Sequence, residues 1–271
     1  MGTRSNPNWH YHLGGSKILL AMDDASTKPL VARLMEFVAE RRLQPGDRLP
    51  SERELAERLG SGRNAVREAI ATLTSLRIVE SRPQSGSYLR LRRQSSFEAL
   101  VMLSGLGRPP TASEISETME VRATLERTAL ELACARRDDK DLAALDRILQ
   151  ETEAVIDEKG NIADADNAFH LALVSAAHNA ILVRVLNAFY ELSLPRRRLY
   201  FARLQLAKAS HRQHKQIVEA VRARDAARGI KLIHDHIESA RSYWRSELSG
   251  RSESGSISRR STVRNTALQP E

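Results

Sequence analysis

Between Pro29 and Arg42 the apolar residues Leu30, Leu34, Phe37 and Val38 recur at helical spacing, and the run stops at the turn sequence QPGD. Ser51 and Glu54 have the spacing of a capping box, so a second helix is expected from Ser51, burying Leu55 and Leu59. Gly60 to Gly62 make a corner. A third helix starting near Arg63 buries Val66, Ala69, Ile70 and Leu73, which leaves Arg63, Asn64 and Arg67 on its exposed N-terminal face. IVESR and SYLRL, joined by a turn at Pro83 to Gly86, read as a two-stranded hairpin. Beyond LRRQSS the pattern changes: from about Ser95 to Leu248 one helical period follows another, with breaks at Gly107 to Pro110, Asp138 to Asp139, Gly160 and Asn179.

The fold expected is therefore mainly α, an N-terminal winged helix-turn-helix followed by an all-helical antiparallel bundle. Residues 1–25 mix Gly, Ser, Asn and Pro with no sustained period, and 249–271 are poor in apolar residues and rich in Ser and Arg. Both ends are expected to be disordered. The domain assignment is 26–93 for the winged unit and 94–248 for the helical one. Met22 is an alternative start.

Charge sharpens this division. The chain has 42 basic and 34 acidic residues, a net +8 and a pI near 10.0. Residues 26–93 hold 14 of the basic and 8 of the acidic groups, so most of the excess sits on the winged unit. That favours a polyanionic partner there. The single cysteine, Cys134, excludes an intramolecular disulfide framework, and its neighbours Leu130, Leu132, Ala133 and Ala135 suggest a small buried hydrophobe. A reducing cytoplasm fits. No apolar run approaches the ~20 residues that cross a bilayer, and the N-terminus lacks a signal-peptide pattern, so no membrane is expected.

One arginine on a helix is usually a solvated residue, but Arg53, Arg63 and Arg67 come with a cap, a corner and a hairpin. Together these point to a third helix held rigidly for the major groove of DNA. PGDRLPSERELAERLGSGRNAVREAIATL followed by SRPQSGSYL resembles the DNA-binding domain of GntR-type bacterial transcription regulators over about 60 residues. The resemblance implies that Arg53, Arg63 and Arg67 contact phosphates and guanine edges of double-stranded DNA with Asn64 beside them. It also implies that Gly86 lets the wing approach the minor groove. At Ser61 and Gly62 the chain departs from the family pattern of a small apolar residue then Ser or Thr, which removes one hydroxyl from the corner.

Six of the eight histidines lie in the helical block: His170, His178, His211, His214, His234 and His236. Asp166 and His170 are four residues apart and share a helix face with Phe169 and Leu173. His214 shares a face with Ile217, Val218 and Val221, and His236 is bracketed by Leu232, Ile233, Ile237 and Ala240. Three such imidazoles and one carboxylate can meet around a divalent cation, with His211, His178 and His234 as rivals. Taken singly, each is more often a satisfied core histidine.

MEVRATLERTALELACARR, DADNAFHLALVSAAHN and HKQIVEAVRARDAARGIKLIHDHI are similar, in order and spacing, to the helical effector domain of the FadR subfamily, the FCD domain. The resemblance implies a metal bound by Asp166, His170, His214 and His236, with zinc expected and nickel or manganese as alternatives. It puts Arg122 on the effector cavity and Asn179 near it. FEALVMLSGLG resembles the longer, seven-helix branch. The expectation is a homodimeric, ligand-responsive repressor or activator on a near-palindromic operator, controlled by a small carboxylate or related metabolite, and not an enzyme. A regulator sensing a bulky acyl ligand without metal, or a metalloenzyme with an attached DNA-binding domain, are the rivals.

Overall fold

A computed structural model describes residues 29–106 and 110–261, with side chains as far as Leu248. The expectations for 1–25 and for the last ten residues lie outside the described part. The chain divides into two compact units, Met1–Gly107 and Arg108–Glu271.

In the first unit, helices α1 (Leu30–Glu40), α2 (Glu52–Arg58) and α3 (Arg63–Ser75) pack around Leu34, Leu55, Val66 and Leu73, all fully buried. Short helices of this kind draw their stability from that shared core. The capping box forms: the Ser51 side chain accepts from Glu54 N, and Glu54 Oε2 accepts from Ser51 N at 2.9 Å. Strands β1 (Val79–Arg82) and β2 (Gly86–Leu89) pair antiparallel, with Val79 opposite Leu89 and Arg82 opposite Gly86. Gly86 has φ 110°, a conformation that L side chains rarely adopt, and it closes the turn at the tip.

Helix α4 (Phe97–Gly105) corrects the sequence boundary at 93/94. Ser96 caps it, and Ala99 and Met102 pack into the core of the first unit. Its small residue Ala99, with no exposure at all, fits against that core.

The second unit consists of α5 (Ala112–Arg136), α6 (Asp139–Asp157), α7 (Ala163–Ser175), α8 (Ala180–Tyr200), α9 (Leu204–Arg222) and α10 (Ala226–Ser261). Leu130, Leu145, Phe169, Leu173 and Ile217 are its fully buried centre, with Cys134 beside them as expected. Helices α5 and α10 pack closely because of Gly229, where an added Cβ would lie 2.5 Å from Leu130 Cδ2. At the α9–α10 turn Arg224 donates to the carbonyls of Cys134, Ala135 and Arg137, closing the C-terminal end of α5. The turns at Phe201–Arg203 and Ala223–Asp225 carry no glycine or proline, so they left no mark in the sequence pattern.

Residues 249–261 continue α10, which corrects the expected tail over that span. Extending a formed helix adds one hydrogen bond per residue without the cost of a new nucleus, so a polar sequence can follow where the apolar face of α10 has led. Among the described residues no helix is long and apolar enough to cross a membrane.

Candidate functional sites

Arg53, Arg63, Asn64 and Arg67 are all exposed, the last three on the first turns of α3. Gly62 occupies the N-cap of α3 and offers no side-chain cap. Arg67 is held by Glu52 of α2: its Nη2 lies 2.9 Å from Glu52 Oε2, and its Nε donates to the same carboxylate at 3.2 Å. That fork fixes the guanidinium across the α2–α3 corner. At the wing, the Arg48 guanidinium lies where a Cβ on Gly86 would meet its Nε at 2.8 Å. Arg82 stacks over the Tyr88 ring at 4.3 Å. The sequence reading missed Arg48, because its approach to the wing depends on the isolated pairing of Arg48 with Tyr88.

The second unit gathers charge in its interior. Asp166 and His170 on α7, His214 on α9 and His236 on α10 are buried, and each offers one ligand atom within 4.8 Å of the others. His170 Nε2 and His236 Nε2 are 3.2 Å apart, His236 Nε2 and His214 Nε2 3.4 Å, and His214 Nε2 and Asp166 Oδ1 3.5 Å. Donors on one ion with bonds of ~2.1 Å lie ~3.0–3.4 Å from their neighbours, so the spacing fits a single cation. Asp166 Oδ1 is buried with no hydrogen-bond partner in the protein. The donor set suits zinc, nickel or manganese.

Two of the imidazoles are oriented from behind. Glu126 Oε2 lies 2.9 Å from His170 Nδ1, and Gln213 Oε1 lies 2.8 Å from His236 Nδ1. An acceptor oxygen behind each Nδ1 favours the tautomer with its proton there, which would leave the Nε2 lone pair facing the centre. His214 is held by stacking on Phe169, ring centroids 3.8 Å apart. Burial first, then the neighbouring imidazoles, push His214 and His236 well below the ordinary histidine range, so both are neutral and able to bind a cation. Burial alone would raise the Glu126 carboxyl, but Arg122 and His170 outweigh it and hold it far below the carboxylate range. Arg122 pairs with Glu126 through Nε and donates from Nη2 to His170 Nε2 at 3.0 Å.

A cavity beside the cluster has about 30 Å³ of free volume and is lined by Arg122, Asp166, Ser193, Arg196, Arg197 and His236, among others. Asn179, which the resemblance puts near the effector cavity, has a capping role in the structure. It is exposed at the N-cap of α8, does not line this cavity, and its Oδ1 accepts from Ile181 N and Leu182 N. Capping commits that side chain to the backbone. Of the rival histidines, His234 is exposed, His178 binds Asp141 at 2.8 Å near the surface, and His211 is buried without a partner for either ring nitrogen. The residues missed are Glu126, Gln213, Arg196 and Arg197. Only for Glu126 was there a signal, its four-residue spacing from Arg122.

The family model for bacterial regulatory proteins of the gntR family matches residues 27–89, and the FCD domain model matches 117–239. The HTH-type transcriptional regulator LutR of Bacillus subtilis is 30% identical over 207 residues, covering 72% of this chain and 90% of LutR. The chain belongs to the GntR family. This GntR regulator is also similar to a putative L-lactate dehydrogenase operon regulatory protein of Escherichia coli, 29% identical over 76% of this chain and 81% of that protein. Its fold is shared with Lar, which controls the expression of the Listeria monocytogenes agr system, at a TM-score of 0.57, 23% identity, and coverage of 78% and 93%. The GntR match spans α1 to the wing, and the FCD match contains all four residues of the buried cluster. The protein is a DNA-binding transcriptional regulator with an FCD domain.

Proposed function

We propose that this GntR regulator holds one divalent metal ion on Asp166, His170, His214 and His236, and that a small carboxylate effector binds beside those residues and alters operator binding. The observation that carries the reading is the convergence of four buried donor atoms within 4.8 Å, two of them oriented from behind by Glu126 and Gln213. When bound, the ion supplies a Lewis-acidic position for a carboxylate oxygen. Arg122, whose Nη2 donates to His170 Nε2 and which lines the cavity, would have that N–H free for an effector carboxylate wherever His170 Nε2 served as a metal ligand. The free volume is small, so an effector enters only as lining side chains on α5, α8 and α10 move aside. Such movement changes DNA affinity if the effector prefers one of two arrangements of the protein. The lactate-operon relative supports small organic acid chemistry, and the small free volume disfavours a bulky acyl chain.

On DNA, Arg53, Arg63 and Arg67 contact phosphates and guanine edges, Asn64 lies beside them, and Gly86 brings the wing tip to the minor groove. Their exposure on one motif supports this, together with the basic balance of residues 26–93. Two copies of the chain bind a near-palindromic operator, since a two-fold protein matches two-fold DNA. Exposed Ile181 and Val185 on α8 leave apolar surface for a second copy. The regulator acts in the cytoplasm and senses its ligand without turning it over.

The metal reading is tested by elemental analysis of protein purified without chelator. About one ion per chain is expected for the wild type and almost none for His214→Ala; wild-type protein that retains no metal even after incubation with zinc removes the reading. Selection of bound DNA from a random pool tests the operator, with a two-fold sequence as the expected outcome.

A further inference from the structure

The second unit has three buried arginines around one cavity and only two carboxylates to meet them. Arg122 is matched by Glu126, and Arg197 by Asp166 at 3.5 Å, by Asn167 and by the carbonyl of Tyr190. Arg196 is 9% exposed and lines the same cavity, and among the described residues no side chain or carbonyl accepts a hydrogen bond from it. Burial first, then Arg122 and Arg197, push its guanidinium down to about 10, which leaves it charged at neutral pH. A largely buried cation that faces a cavity with no counter-charge gains most from an anion that enters and pairs with it. A divalent ion on the cluster would raise the surplus from one positive charge to three, of which a dicarboxylate would offset two and a monocarboxylate one.

We propose that Arg196 receives a second anionic group, so that the effector is a short-chain dicarboxylate with one carboxylate at the metal cluster and the other at the Arg196 guanidinium. This rests on the carboxylate-on-metal reading and narrows it. A planar guanidinium suits the task, because its paired N–H groups can hold both oxygens of a carboxylate. The dicarboxylate must be short, since both anchors line a single small cavity. Arg196 would then set specificity, while Arg122 and the ion hold the end that all candidate acids share.

Two acids that differ only by the second carboxylate test this: 2-hydroxypropanoate and 2-hydroxybutanedioate, titrated calorimetrically into zinc-loaded full-length protein whose zinc content is measured in parallel. Wild-type protein is expected to prefer the diacid by about tenfold or more, the scale of one charge-assisted pair. In Arg196→Gln the ratio of the two affinities falls to about one, and in Arg196→Lys, which keeps the charge but loses the fork, part of the ratio returns. Circular dichroism and zinc content identify a variant that has lost its fold, in which case the Lys variant and the wild-type ratio decide. Equal binding of both acids by wild type, or a proportionate loss of both in Arg196→Gln with an unchanged ratio, overturns the role of Arg196 and leaves the metal reading standing. Zinc-loaded wild type that binds neither acid overturns both.

Discussion

Arg53, Arg63 and Arg67 of the first unit stand in solvent, whereas Arg122, Arg196 and Arg197 of the second are buried beside histidines and carboxylates. Exposed guanidinium groups cost little to keep and are free to meet phosphate, with an affinity that salt can tune. Buried ones need partners within the fold or a ligand that supplies them. On the functions proposed, the same side chain would serve recognition of a large external anion in one unit and cohesion plus capture of a small anion in the other. Substitution should separate the two uses by magnitude: removing a buried partner should damage the fold, and removing an exposed one should damage only binding.

The largest effect is expected at Glu126. Its carboxylate is fully buried, pairs with Arg122 and approaches His170, so Glu126→Leu strands a buried cation and frees the His170 ring. A loss of about 3–5 kcal/mol is expected. Urea unfolding followed by Trp244 fluorescence in a Trp9→Phe background measures it. A loss below about 1 kcal/mol would remove the cohesive role assigned to the buried charges.

Chelation comes next. Metal bound only by the native state stabilises it by about 2.7 kcal/mol when free metal is a hundred times its dissociation constant. Chelator should therefore lower the Trp244 unfolding midpoint of wild type and leave that of His214→Ala where it was. Equal shifts in the two proteins would mean that any stabilising metal binds elsewhere.

How much of each unit the sequence carries follows from the same contrast. The capping box of Ser51 and Glu54, the corner at Gly60–Gly62 and the turn ending at Gly86 are local devices, and the structure contains each one. Asp166 and His170 were legible as a four-residue pair, and the burial of His214 and His236 by their apolar brackets. Their convergence was not, since three helices must pack before the rings meet, and only resemblance supplied it. Arg196 and Arg197 had no signal at all: they sit beside Arg198 in a run that reads as a solvated stripe, until α8 is laid against α7. Asn179, placed near the cavity by resemblance alone, has its side chain on a helix end in the structure.

In the first unit, Arg67→Ala should weaken operator binding by about 1–3 kcal/mol if the guanidinium reads a guanine edge. The salt dependence of binding distinguishes the two contact types, since loss of a phosphate contact reduces the slope of log K against log salt by about one. Fold stability should be almost unchanged, because the side chain is 66% exposed. Undiminished affinity for the selected operator would remove Arg67 from the interface.

The smallest effect, and the sharpest check on the contrast, is expected from Glu52→Gln. Glu52 holds Arg67 in a bidentate geometry, the strongest kind of surface pair, yet both side chains are substantially exposed, at 38% and 66%. Solvent screening limits such a pair to about 0–1 kcal/mol of stability. The substitution also removes a negative charge from beside the arginines that would face phosphate, so affinity for random-sequence DNA should rise slightly at low salt and converge with wild type as salt increases. Discrimination between operator and random DNA should fall, because an unheld Arg67 loses its fixed direction before it meets a base. If Glu52→Gln instead cost more than about 2 kcal/mol of folding stability, an exposed charge would be doing the cohesive work reserved here for buried ones, and the division between the two units would no longer hold.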